Sequence, residues 1–253
     1  MTRSRRPHPF ASVLFLAGWI AACLVLGAGG ARARTADDTL MIAVSADIIS
    51  PDPARITRHA VSEAVHSLLY DTLIRFDPEG GSYAPGLAAS FRAVDALTWE
   101  FDLAGETANA AAAAAEIARY FRRIVSPSGL GGFPAPARER LARVRDVRAE
   151  GSRIIFHLSE PWPGLPAALV REPAVRALAD GSLRPTGAFV LERWDHGNRV
   201  ILRRQGETPA GGFARVWFEV VPSAEERFRR LVAGEFDIAF DLPPDGYWRL
   251  RRA

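Results

Sequence analysis

The stretch PTGAFVLERWDHGNRVILRR, Pro185 to Arg204, decides how the rest of the chain is read. Gly187 to Trp194 reads as one strand and Asn198 to Arg204 as a second, because β-branched and aromatic residues alternate with polar ones on both sides of a turn. Asp195, His196 and Gly197 carry that turn, and Gly197 is free to take a positive φ. The two runs therefore form a hairpin. Local pattern leaves two features without a role: the Thr186-Gly187 pair at its start, and Trp194, seven residues after the glycine.

Downstream of the hairpin, Ala214 to Val221 is a further strand. Ser223 then stands as the N-cap of a helix, with Glu226 three residues on and Phe228, Leu231 and Val232 facing inward. Gly234 sits where a C-cap glycine belongs, and Glu235 to Phe240 is a last strand. Upstream, Leu40 to Ser45 is a short apolar run, a buried strand, which the Pro51-Asp52-Pro53 loop ends. The segment 62–76 has helical spacing, with Val61, Ala64, Val65, Leu68, Leu69, Thr72 and Leu73 on one face. Leu97, Trp99, Phe101 and Leu103 alternate on one side of a strand. An alanine-rich helix with Ile117, Tyr120, Phe121 and Ile124 as its stripe follows, and then a hairpin turning at Glu150-Gly151. Strands and helices mix without strict βαβ order, so the fold class is mixed α/β.

The 253 residues, 48% of them hydrophobic, are enough for one large or two small domains. The net charge of +3 is misleading. Residues 1–33 hold Arg3, Arg5, Arg6 and Arg32 and no acid, so removing those four charges leaves −1. A nearly neutral remainder gives no electrostatic argument for nucleic acid. The same segment has a positive start, an apolar run of about twenty residues and small residues at Ala31 and Ala33. It reads as a signal peptide that sends the protein to the periplasm, with a retained membrane anchor as the alternative. Ile20-Ala21-Ala22-Cys23 also resembles a lipoprotein signal, so lipid anchoring through Cys23 stays open. Cys23 is the single cysteine, which excludes an intrachain disulfide and a thiolate cluster.

Catalytic patterns are missing. There is no Gly-x-Ser-x-Gly elbow, no His-Glu-x-x-His pair and no phosphate-cradling glycine loop with a lysine. His59, His66, His157 and His196 have no metal-ligand spacing. The chain is read as a binder rather than an enzyme, with no cofactor, no metal and no catalytic residue.

Several segments, in order, resemble the family 5 extracellular solute-binding proteins of ABC transporters, the peptide, oligopeptide and nickel binders. Asp52-Pro53 matches the family's Asp-Pro after the first strand. Leu69-Tyr70-Asp71-Thr72-Leu73 matches its Leu-Tyr-(Asp/Glu)-x-Leu segment, and Pro85-Gly86-Leu87-Ala88 its Pro-x-Leu-Ala. Pro185-Thr186-Gly187-Ala188-Phe189 matches its Gly-Thr-Gly-Pro-Tyr hairpin loosely, and Gly234 to Ile238 its Gly-x-x-Asp-Ile. The resemblance covers residues 39–243. It implies the first lobe of a type II periplasmic binding protein, from strands within about 39–55 and 175–243, with a small domain inserted at about 56–174. The family's Arg-x-Gly-x-x-Phe-x-x-Gly stretch is shortened here, and its Asn-x-x-Tyr-Trp segment is replaced. Residues 244–253 would be a tail at the hinge, with the second lobe absent.

The resemblance implies that a peptide-like or nickel-type solute is held and passed to an ABC permease in the inner membrane, with a separate chain supplying the second lobe as one arrangement. It places Asp47, Ile48 and Ile49 on the loop that faces the cleft. There Asp47 would meet a ligand amine or, alternatively, lie in solvent as a plain loop carboxylate. A non-transport sensor or interaction module, or an inactive truncated remnant, are the competing functions. By the same resemblance Trp194 packs on its hairpin.

Overall fold

The computed structural model describes residues 38–252 except residue 57 and residues 105–107 and 130–135. The expected export signal, residues 1–33 with Cys23, lies outside the described residues. Strand β1 (Thr39–Val44) leads through a 3-10 turn at Pro53–Arg55 to helix α1 (Ala60–Leu69). A hairpin of β2 (Ile74–Asp77) and β3 (Ser82–Pro85) follows, then β4 (Ala88–Asp95) and β5 (Thr98–Leu103). Helices α2 (Ala108–Val125) and α3 (Pro136–Arg140) precede the hairpin of β6 (Val144–Glu150) and β7 (Arg153–Leu158). After α4 (Leu165–Leu169) come the two-residue strands β8 (Arg176–Ala177) and β9 (Leu183–Arg184), and then β10 (Phe189–Asp195) and β11 (Arg199–Arg204). The chain continues with β12 (Arg215–Val220), α5 (Ala224–Val232), β13 (Ile238–Ala239) and α6 (Gly246–Leu250).

Two sheets dominate. The first has the order β10-β11-β12-β1-β13, with β1 parallel to both β12 and β13. β1 is a central strand of the parallel part of the sheet, whose crossover connections ordinarily cover both faces, which is why it reads as a continuous apolar run rather than an alternating one. Ile42, Ala43 and Val44 are buried. The second sheet is antiparallel, β4-β5-β7-β6, and α2 lies against it. The stripe read on α2 is its buried face: Ile117, Tyr120, Phe121 and Ile124 are all enclosed. Phe156 meets Phe101 at 5.3 Å and Phe121 at 5.2 Å between ring centroids, both edge-on. Such pairs add about 1 kcal/mol each beyond the area they bury. One hydrophobic core is continuous through both sheets.

The local readings differ from the structure where a distant segment intervenes. Helix α1 stops at Leu69, short of Thr72 and Leu73, and Ile74 to Phe76, read as helical, lie in β2. The backbone N–H groups of Thr186 and Gly187 both donate to the Leu69 carbonyl, at 3.1 and 2.9 Å. The Thr186 hydroxyl accepts from Asp71 N at 3.0 Å and donates to the Ala174 carbonyl at 2.8 Å. A segment over a hundred residues away thus occupies the acceptor that a next helical turn would use. This is the role of the Thr186-Gly187 pair. Leu97, expected on the buried side of β5, is 42% exposed. Its N–H bonds Asp95 Oδ1 at 2.7 Å in a turn, and the strand starts one residue later.

The β10–β11 hairpin turns at Gly197, φ 72°. Its register shifts between Leu191 and Arg193, leaving Glu192 as a bulge. Phe189, Leu191 and Trp194 then stand opposite Arg204, Leu202 and Val200, every second residue of β11. Strict alternation would have aligned Arg193 with Phe189 and Leu191. The bulge brings Trp194 to that face instead, at the end of the strand.

Candidate functional site

Strand directions bring four loops to one end of the first sheet. β11 is antiparallel to both β10 and β12, so β10 runs the same way as β12, β1 and β13. The carboxyl ends of these strands carry residues 45–50, 196–198, 221–223 and 240–245. In open α/β sheets this is the end at which ligands bind.

Of the three residues expected to face a ligand, the structure gives each a different setting. Ile48 is 4% exposed and belongs to the hydrophobic core. Ile49 is 52% exposed. Asp47 is half-buried and accepts from Trp194 Nε1, 2.9 Å to each oxygen, and from the backbone N–H of Gly197 at 2.7 Å. It also accepts from Ile48 N at 2.8 Å. The carboxylate thus pins the loop after β1 to the end of the β10–β11 hairpin. Trp194 does more than pack: its N–H is half of that pin. The His196 ring lies over Trp194 with centroids 3.8 Å apart, on the exposed turn. Beside it, bonds from Arg199 and then Arg193 hold the Asp195 carboxyl below the usual carboxylate range. We expect Trp194→Phe, which keeps a ring and removes the N–H, to lower stability by about 1 kcal/mol, as loss of a partly exposed hydrogen bond to a carboxylate should. The urea midpoint would fall with the slope unchanged; an unaltered midpoint would mean the pin carries no energy.

The loops after β12 and β13 are joined by a buried arginine. Arg227, on α5, is 2% exposed. Its guanidinium donates to the carbonyls of Val221, Pro222, Phe240 and Asp241. Val232, expected inward, is 49% exposed instead. Phe228 is buried as expected, and Ser223 caps the helix by accepting from Glu226 N. Helical spacing alone could not place Arg227, because an arginine on such a helix is ordinarily solvent-facing. Asp241 holds φ 49°, the one positive value among described non-glycine residues, and accepts a 2.5 Å bond from the Ser45 hydroxyl. Asp is among the residues that tolerate this region, and such backbone gathers at functional loops.

The loop after β1 is also clamped from below. Ile49 N donates to Ser62 Oγ at 2.9 Å, and His66 Nε2 lies 2.8 Å from the Ser50 carbonyl. The Tyr70 hydroxyl donates to the Pro51 carbonyl at 2.9 Å. Arg123 reaches both oxygens of the buried Asp52 at 2.9 Å. Burial lowers the His66 pKa, against the Ser50 bond and Asp52, and raises that of Tyr70. Residues 49–52 are therefore held, one after another, by α1 and α2. His59 caps α1 by accepting from Ser62 N, so His59 and His66 serve separate partners. Among the described residues no group of three or more His, Cys, Asp or Glu is placed to hold a metal ion. No described helix is long and apolar enough to cross a membrane.

No family model matches the chain, and no curated protein matches it in sequence. Solved structures do. The ABC transporter-associated periplasmic binding protein DppA from Helicobacter pylori, in complex with the peptide STSA, superposes with a TM-score of 0.65 at 20% identity, over 85% of this chain and 49% of its own. The fold is that of about half of a periplasmic binding protein. The dipeptide binding protein from Pseudoalteromonas sp. SM9913, in complex with Met-Leu, gives a TM-score of 0.70 at 15% identity, over 85% of this chain and 49% of its own. The nickel ABC transporter structure from Bacillus halodurans gives 0.64 at 22%, over 85% and 45%. The chain spans about half the length of these structures. At these identities the likeness speaks for the fold, and the mixed α/β class read from the sequence is the observed one.

Proposed function

We propose that this protein is a periplasmic solute-binding component of an ABC importer. It would hold a peptide-like or nickel-type solute at the carboxyl end of its first sheet for delivery to a membrane permease, with no chemistry of its own. The observation that carries this reading is the match of 85% of the chain to an ABC transporter-associated periplasmic binding protein and to a nickel ABC transporter structure. In this reading the first sheet is the core of the first lobe, and the β4–β7 sheet with α2 is the inserted small domain. Residues 1–33 would export the chain. Ile49 supplies exposed apolar surface for the solute. Ile48 anchors the loop in the core, and Asp47 holds its shape while keeping a carboxylate beside it.

The experiment is a thermal-shift titration of the purified, signal-processed protein with di- to pentapeptides and with Ni²⁺ chelates. A ligand at a hundred times its Kd stabilises the native state by about 2.7 kcal/mol. For a chain of this size that raises the Tm by roughly 5–10 °C. A dose-dependent rise with one class names the solute. A cooperative melt that no class shifts would overturn the reading.

One observation favours a second reading, an interaction module or a lobe completed by a separate chain. Helix α6 exposes Tyr247 (52%), Trp248 (59%) and Leu250 (38%) together. Aromatic residues exposed in a cluster are typical of surfaces that meet another protein. Sedimentation of the chain with and without a co-expressed partner would separate this reading from the first.

A further inference from the structure

The loop after β1 is held by a group whose protonation state matters. His66 is 3% exposed. Its Nε2 faces a carbonyl, which only accepts, so Nε2 carries the proton and Nδ1 the lone pair. Nδ1 is buried and has no hydrogen-bond partner among the described residues. We propose that His66 is a proton-operated latch: neutral, it fastens Ser50 and with it the loop that carries Ile49; protonated, it lets that loop go.

The surroundings explain the direction. A second proton would put both a charge and an unpaired donor at Nδ1, where bulk solvent does not reach. The charged and titratable groups packed around the ring do not offset this. Asp52, in the loop itself, is the one carboxylate that favours the imidazolium. Arg123 of α2 binds both its oxygens, and Arg55 lies 3.4 Å from it, so its charge is already shared by two guanidiniums. Tyr70, with its ring centroid 5.9 Å from that of His66, and the enclosed Tyr120 both keep their phenol protons, since burial raises each. Once the loop lifts, the ring meets water and accepts a proton readily. The closed form is therefore fully favoured above the ordinary histidine value of about 6.5. It is lost as pH falls from there toward the lowered value of the closed state.

The latch stands independently of the solute-binding reading, because loop release is read without a ligand. Amide exchange of the purified protein is followed between pH 8 and 5, corrected for the intrinsic rate. The reporters are Ile49, Asp52 and Ala54, whose N–H groups bond Ser62, Ser50 and Asp52. Protection at these amides should fall roughly tenfold per pH unit below about 6.5, the slope for uptake of one proton. Phe101 and Phe156, in the second sheet, should keep theirs. His66→Gln retains an N–H for the Ser50 carbonyl and does not titrate, so its loop protection should be flat with pH. Flat protection in the unaltered protein, an equal fall in H66Q, or a parallel fall at Phe101 and Phe156 would each overturn the latch. If H66Q does not fold, the His66 ring resonance decides: it must titrate in step with the Ile49 and Asp52 amide shifts, and titration without them overturns the proposal.

Discussion

Arg227→Met is expected to destabilise the protein by roughly 4 kcal/mol, because hydrogen bonds to a charged group are worth about 1.5–3 kcal/mol each and part of the loss is recovered by water. The side chain lies almost wholly inside and gives protons to four backbone carbonyls drawn from the two loops after β12 and β13. Methionine fills much of the same volume and supplies no donor. The carbonyls of Val221, Pro222, Phe240 and Asp241 would be left to find water or to shift. For a chain of this length the Tm should drop by about 10 °C. Arg227→Lys keeps the charge but not the planar fork, and should recover only part of the loss. If methionine lowered the Tm by no more than a degree or two, the loops would be held by their own backbone and Arg227 would be incidental. The effect reaches function through geometry, since these loops form two of the four at the candidate site.

Gly187→Ala should have the next largest effect. A Cβ at this position would sit 2.7 Å from the Leu68 carbonyl oxygen, 2.9 Å from Leu69 C and 3.0 Å from Tyr70 N. All three are backbone atoms at the end of α1, so no side chain can swing aside. The hairpin would have to lift from the helix, weakening the bonds from Thr186 and Gly187 to Leu69. Overpacking ordinarily costs about 1–3 kcal/mol, and a rigid neighbour puts this case near the top of that range. The urea midpoint should fall accordingly, with the slope unchanged if the folded state stays whole. A midpoint equal to that of the unaltered protein would show that the helix end yields easily and that the position does not require a glycine.

Much of the scaffold was legible because its signals are local. The alternation in 189–204 and the glycine at 197 are enough for a hairpin, since period and φ are properties of neighbouring residues. The same holds for the stripe on α2 and for Ser223 as a cap. The candidate site was legible only in outline. Asp47, Ile48 and Ile49 were singled out by resemblance, as one loop with one role. The structure sets them apart: an exposed side chain, a core side chain and a carboxylate bound to a tryptophan 147 residues away. Trp194 was readable as packing but not as a donor, because the bulge at Glu192 that re-aims it is a matter of register between strands.

The amino-acid sequence by itself determined the two hairpins at 144–158 and 189–204, the apolar stripe of α2, the cap of α5, the mixed class and the absence of recognisable catalytic patterns. Each rests on composition or on spacing over a few residues. Only the tertiary structure decided that α1 ends at Leu69, that Arg227 points inward, and that four loops share one end of a sheet. Those outcomes depend on which distant carbonyl, N–H or carboxylate is within reach once the chain has closed on itself. A hydrogen bond across 100 residues or more leaves no periodic trace in the sequence.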